Sequence, residues 1–240
     1  MFTNIFFSKT HTLINTGTRC SMDCSFCRIK NSDKVAPDFR FLIESGTFFS
    51  VYKRSRWVSL FGGDPFDHPD FFLVLVFLKS HRINICVWTH GIVPLDILEK
   101  VTPYVDEWCV YCPTVDPEVF PIILGNGTFE EFSESMECLK ESARCIRIHT
   151  PVIDDNIGEL PAIHEWVKHH QCHWSVHAYL PLLTTEQRAF VKRYYLVPGV
   201  HVIEKGIMPI KDVCSALPFP DKNHWYSCVK NAWFDLLKFK

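Results

Sequence analysis

Cys20, Cys24 and Cys27 stand in a C-x3-C-x2-C array within residues 19–30, RCSMDCSFCRIK. A loop of this length wraps three thiolates around one cuboidal iron-sulfur cluster, whereas an electron-transfer ferredoxin supplies four cysteines to its cluster. One iron is then left without a protein ligand. An open coordination position separates a catalytic metal site from a purely structural one, and a small molecule can bind the metal there directly. The competing reading is zinc or a structural cluster. Three cysteines with no fourth nearby suit tetrahedral zinc poorly, although His11 or a distant cysteine would complete the set.

Strand and helix alternation must position this loop. A strand over residues 10–16 delivers the chain into it, and chemistry at a strand's end is the arrangement of barrels and doubly wound sheets. Apolar helical spacing follows over 38–52, then a strand at 57–61 and a helix at about 69–81. The run FFLVLVFL inside that helix fits a buried strand equally well by periodicity; strands on both sides of it decide for helix. A strand at 84–89, a short helix at 94–102 and a strand at 107–112 come next. Thr128 and Glu131 form a capping-box pattern for a helix over 128–142. A fifth strand spans 145–152, a helix with Asn156 as its N-cap spans 156–169, and a sixth strand spans 172–180. Such alternation implies a parallel sheet with helices outside, and six units fall short of the eight that close a full barrel. The expected fold is α/β: a partial (β/α)6 TIM-like barrel over 1–183. Residues 184–240, including a strand-like VHVIEK, form a short C-terminal extension that caps the same domain.

Period-two alternation sorts the last two strands. Arg147 and His149 share one face of the fifth strand, opposite Ile146 and Ile148. On the sixth, His173, Ser175, His177 and Tyr179 oppose Trp174, Val176, Ala178 and Leu180. Helices cover the outside of a barrel, so the polar set belongs inside. Arg147 is the candidate partner for an anionic group, and His149, His177 and Tyr179 are the candidates for substrate contact. Hydrogen-bonded interior histidines are the competing reading of these strand residues.

A net charge of −2 leaves no basic footprint for nucleic acid, and 47% hydrophobic residues exclude wholesale disorder. The eleven cysteines are odd in number and scattered, which fits a reducing compartment better than a disulfide framework. The longest apolar run, 71–78, is too short to cross a bilayer, and the N-terminus lacks a basic leader with a cleavage site. The expectation is a cytoplasmic protein without nucleic-acid or membrane partners. The tail pair Cys214 and Cys228, with His224, is a candidate second metal site, with fewer cysteines than a cysteine-rich cluster-binding extension carries.

Three more stretches follow the cysteine loop in order: Gly62-Gly63-Asp64-Pro65, Thr89-His90-Gly91, and PEVFPIILGNGTFEEF after Asp116. With Phe26 before the last cysteine, they resemble the radical S-adenosylmethionine (radical SAM) enzymes over about residues 10–181. Asp64 stands where the family's Gly-Gly-Glu-Pro turn has Glu, and His90 where many members have Asn. The third stretch looks like the branch that matures peptides and cofactors.

The resemblance implies a [4Fe-4S] cluster on Cys20, Cys24 and Cys27, with S-adenosyl-L-methionine on its open iron. Reductive cleavage would then yield a 5'-deoxyadenosyl radical that abstracts hydrogen from a substrate. The cofactor-binding residues it implies are Phe26 near the adenine, the turn of Gly62, Gly63 and Asp64 with Asp64 on the ammonium, and Thr89. Thr114 and Asp116 would meet the ribose or carboxylate, and Arg147 the methionine carboxylate. A small-molecule, peptide or protein substrate and an electron donor such as flavodoxin or ferredoxin are implied as partners. Glycyl-radical-enzyme activases and deazaguanine-forming enzymes are alternatives within the class. The activases' Asp-Leu-Lys is replaced here by Cys-Val-Tyr-Cys-Pro. A non-catalytic iron-sulfur electron carrier or sensor on the same scaffold is the alternative from another class.

Overall fold

The computed structural model describes residues 5–7, 11–27, 36–46, 48, 56–178, 183–193 and 200–204 of the 240-residue chain. Eight strands form one sheet in chain order: β1 (Ile5–Phe7), β2 (His11–Asn15), β3 (Trp57–Phe61), β4 (Asn84–Thr89), β5 (Glu107–Tyr111), β6 (Ile146–Val152), β7 (His173–Ala178) and β8 (Val200–Glu204). β1 lies antiparallel to β2, and each later neighbouring pair is parallel. The six expected strands are β2 to β7. VHVIEK, assigned above to the cap, contributes β8 and pairs with β7 in parallel, Trp174 opposite Val200. Without it, β7 would present a row of unpaired backbone groups, and β-branched Val200, Val202 and Ile203 suit that edge. Tyr179, Cys214, Cys228 and His224 lie outside the described residues.

The helices are α1 (Phe39–Glu44), α2 (Phe71–Ser80), α3 (Leu95–Val101), α4 (Phe120–Leu124), α5 (Phe129–Ser142), α6 (Leu160–His169) and α7 (Thr185–Lys192). FFLVLVFL is helical: Phe71, Val74, Leu75 and Leu78, at helical spacing, are buried. α1 ends well short of the expected residue 52. Gly46 adopts φ +70, and its N–H donates to the Ile43 carbonyl at 3.1 Å, the left-handed glycine ending typical of helices. The Thr128 capping box forms as expected, with Glu131 N–H donating to Thr128 Oγ1 at 3.2 Å and Thr128 N–H to Glu131 Oε2 at 2.8 Å. Asn156 stands at the N-cap of a 3-10 turn (Ile157–Glu159) that leads into α6, but its side chain does not cap it. Its amide donates to the carbonyls of Pro113 at 2.6 Å and Pro151 at 2.7 Å while its oxygen accepts from Ile153 N–H at 2.9 Å, tying the ends of β5 and β6 together.

Outward side chains Ile14, Leu60, Val87, Val110, Ile148 and Val176 are buried in one hydrophobic core with helix residues such as Leu75, Leu98, Met136 and Ile163. Burying each side chain of this size contributes roughly 1.5–3 kcal/mol. The inward positions fall into three layers by alternation. Trp57, Asn84, Glu107 and His173 begin their strands and, with Arg147 one residue into β6, form the floor. Ser59, Cys86, Cys109, His149 and Ser175 form the middle. Phe61, Trp88, Tyr111, Pro151 and His177 stand nearest the C-terminal strand ends, where active sites of parallel barrels lie.

Candidate active site

The cysteine loop leaves β2 at Asn15, whose Oδ1 accepts from Gly17 N–H at 2.8 Å. The next strand's turn runs beside it. Thr16 N–H donates to the Phe61 carbonyl at 2.7 Å, Gly63 N–H to Gly17 at 2.7 Å, and Asp64 N–H to Arg19 at 2.9 Å. This approach needs two glycines. Gly62 has φ +134, and a Cβ on Gly63 would lie 1.9 Å from the Arg19 carbonyl oxygen. Gly63→Ala is therefore expected to force the two turns apart, at about 1–3 kcal/mol, and to lower iron incorporation severalfold. Iron and sulfide analysis of the purified variant checks this.

The loop's other flank rests on the end of α4. Asp23 N–H donates to Leu124 at 3.0 Å and Ser25 N–H to Ile123 at 2.9 Å. Asn126 Nδ2 donates to the Ser21 carbonyl at 2.9 Å. Gly125, at φ +76, would place a Cβ 2.6 Å from the Asp23 carbonyl oxygen. The sequence reading recognised ILGNG only by likeness; the structure shows it as the platform under the cysteines. Phe26, half-buried, packs on the same core.

Cys20 is exposed, and Cys24 and Cys27 are half-buried. Burial pushes the Cys24 thiol up to about 12, and the neighbouring Cys20 and Cys27 add to the shift. Cys20 is pushed up to about 11, mainly by burial, with Asp64, Asp67 and Cys27 adding to it. Cys20 and Cys24 resist ionising side by side in the bare protein, and a shared cation would stabilise them as thiolates, so the donor set fits an iron-sulfur cluster. The coordinating thiol is then deprotonated outright.

Asp64 does not face the mouth as an open carboxylate. Its side chain is 1% exposed. Oδ1 accepts from Phe66 N–H at 2.9 Å, and Oδ2 accepts from Thr89 Oγ1 at 2.7 Å and His90 N–H at 2.9 Å. The side chain, shorter than Glu by one methylene, here ties β3 to β4. Thr89, expected to contact the cofactor, is 2% exposed and spends its hydroxyl on Asp64. His90 Nδ1 accepts from Ile92 N–H at 3.0 Å, so its proton sits on Nε2. There it donates towards Asp64 Oδ2 and Ser21 Oγ, both at 3.2 Å. Cys20, Asp67 and His90 offer ligand atoms within 4.8 Å of one another, but the Nε2 proton closes His90 to a metal. Asp67 Oδ2 accepts from Ser21 N–H at 2.7 Å and pins the loop from that side.

Thr114 is fully buried, donates to Glu159 Oε2, and accepts from Asp116 N–H at 3.0 Å. It braces the loop after β5. Asp116 Oδ1 accepts from Glu118 N–H at 2.8 Å, setting the turn into α4 while the residue stays exposed.

The expectation for Arg147 is corrected. It sits on the floor, 6% exposed, and its Nε donates to Glu107 Oε1 at 2.9 Å. Burial opposes its charge, and Glu107 more than offsets that. The four residues to Pro151 at the mouth span about 13 Å of strand, so Arg147 does not reach a carboxylate bound there. His149 and His177 do share the lumen, ring centroids 5.6 Å apart. Sequence reasoning passed over their neighbours Trp88 and Tyr111, 5.2 and 5.0 Å from the His149 ring. The same alternation, carried to β4 and β5, finds both. Burial raises the Tyr111 phenol, with the sulfurs of Cys109, Cys27 and Cys24 adding to the shift, which sets Tyr111 between the cysteine loop and His149.

A partial parallel barrel that carries three cysteines past its first parallel strand, above a polar and aromatic lumen, defines a cluster-dependent barrel enzyme. The radical SAM superfamily model matches residues 14–167, and the chain belongs to that family. Its cofactors are accordingly a [4Fe-4S] cluster and S-adenosylmethionine. A stretch of 69 residues is 36% identical to the indoleacetate decarboxylase activating enzyme of Tractidigestivibacter scatoligenes, covering 28% of this chain and 22% of that enzyme. Streptococcus suis SuiB bound to its precursor peptide SuiA has the same fold, at TM-score 0.62 and 16% identity over 82% of this chain and 49% of SuiB. So has anSMEcpe with AdoMet and the Cp18Cys peptide, at TM-score 0.56 and 14% identity over 68% of this chain and 49% of that one. The chain thus spans about half of each structural relative or less. None of the helices among the described residues is long and apolar enough to cross a membrane.

Proposed function

We propose that this protein abstracts a hydrogen atom from a residue of a peptide or protein substrate, with Cys20, Cys24 and Cys27 holding the cluster. The observation that carries the reading is the joining of a three-thiol loop to a lumen whose upper layer is half-exposed, at Trp88, Tyr111 and His177, rather than packed shut. When bound, the cluster and S-adenosylmethionine supply the one-electron chemistry that removes the hydrogen. The chain's own residues do the positioning. Gly17, Gly62 and Gly63 let the backbone of the two turns close up, Asp67 and Asn126 anchor Ser21, and Asp64 with Thr89 and His90 stiffens the floor of the cofactor turn. Phe26 and Asp116 remain the side chains offered towards the adenine and the methionine or ribose, and Gly62 and Gly63 offer backbone. His149 and His177 face the substrate.

Support for a polypeptide substrate comes from the relatives. SuiB and anSMEcpe hold peptides, and the sequence relative is an activating enzyme for a decarboxylase. That last match supports a second reading, installation of a radical on a partner enzyme. Reduction is assigned to a small donor such as flavodoxin or ferredoxin. Anaerobic reconstitution followed by reduction is expected to release 5'-deoxyadenosine from added S-adenosylmethionine. An intact, reduced cluster that yields none would make the chain an electron carrier or sensor.

A further inference from the structure

His149 is 2% exposed, and its Nε2 has no hydrogen-bond partner. The ring's other nitrogen shows which atom carries the proton. Ser175 Oγ donates its hydrogen to the Ile148 carbonyl at 3.3 Å, so at 3.0 Å from His149 Nδ1 it accepts. The proton is therefore on Nδ1, and Nε2 is a bare acceptor. Burial lowers the His149 pKa well below the usual imidazole range, and His177 and Arg147 push it the same way, so the ring stays neutral. Around it stand Trp88 and Tyr111, both edge-to-face, and His177, tilted at 48°. Tyr111 stands opposite His149 in register and His177 two residues beyond Ser175, its partner on β7; all three rings are half-exposed, so the lumen beside His149 is walled by flat rings.

Resting on the polypeptide reading above, we propose that this mouth receives a neutral aromatic side chain bearing one N–H or O–H, that of tryptophan or tyrosine, and that His149 Nε2 accepts its hydrogen bond. An anionic group would meet a lone pair and be repelled. A cation would shed its hydration here, and the lumen carboxylate of Glu107 is already paired with Arg147. A flat donor satisfies the orphaned acceptor and stacks against the rings, and a buried polar group left without a partner is what such a site uses to reject a guest lacking the donor.

The test uses the reconstituted protein with S-adenosylmethionine and two pairs of probes, phenol with anisole and indole with N-methylindole, titrated calorimetrically. Phenol and indole are expected to bind about tenfold more tightly than their methylated partners, roughly 1.4 kcal/mol. His149→Gln, which keeps an acceptor, should preserve the preference, and His149→Leu should erase it at unchanged iron content. Equal affinity within each pair, no binding of any probe, or a preference that survives in His149→Leu overturns the inference. The wild-type comparison stands even where the leucine variant fails to fold. 5'-Deoxyadenosine release is measured on the same preparations: release without discrimination refutes the inference alone, and absence of release refutes the function on which it rests.

Discussion

Cys24→Ala is expected to purify with iron and labile sulfide reduced to near zero and to lose binding of S-adenosylmethionine, while Cys112→Ala is expected to retain both. The contrast follows from where the two sulfurs sit. Cys24 lies in the loop among two other thiols that raise its pKa, so an iron cluster is what stabilises the three together. Cys112 is fully buried in the outer core, and its Sγ donates to the Thr114 carbonyl at 3.3 Å. Replacing it removes a little packing, not a ligand. Metal analysis and the visible absorption of the cluster decide the matter, and normal iron content in Cys24→Ala would refute the loop assignment.

Arg147→Met is expected to destabilise the fold by about 3–5 kcal/mol, because Glu107 is then left as an uncompensated buried charge. For a chain of this size each kcal/mol lowers Tm by about 2–4 °C. Thermal unfolding should therefore shift by roughly 10 °C. Affinity for S-adenosylmethionine in the cold, measured by equilibrium dialysis, should not change. Adding Glu107→Leu should recover much of the loss, since replacing both partners by apolar groups is often neutral. A large loss of S-adenosylmethionine affinity in Arg147→Met without loss of stability would restore Arg147 to the carboxylate role.

These two residues mark how legible the site was. Cys24 could be read from spacing because one short loop carries all three thiols, and a ligand set local in sequence needs no tertiary knowledge. Arg147 was correctly placed on the lumen face, since the period of two fixes the face of a strand. Its height in the barrel and its partner Glu107, 40 residues away in sequence, were not readable. The partners of Thr114 and Asp64 were unreadable for a related reason. Each stands at a strand end where cofactors bind, yet their side chains turn into the protein to meet Glu159 and Thr89.

By itself the sequence determined the order of β2 to β7, the cluster-binding loop and the family, because hydrophobic period, capping residues and ligand spacing are all local properties. Tertiary structure decided which strand-end residues remain available. Gly125 supports the cysteine loop from more than a hundred positions away, β8 completes the sheet edge, and Trp88, Tyr111 and His177 converge beside a histidine with one unpaired nitrogen. Such convergence depends on the register and curvature of a whole sheet, which no single segment encodes.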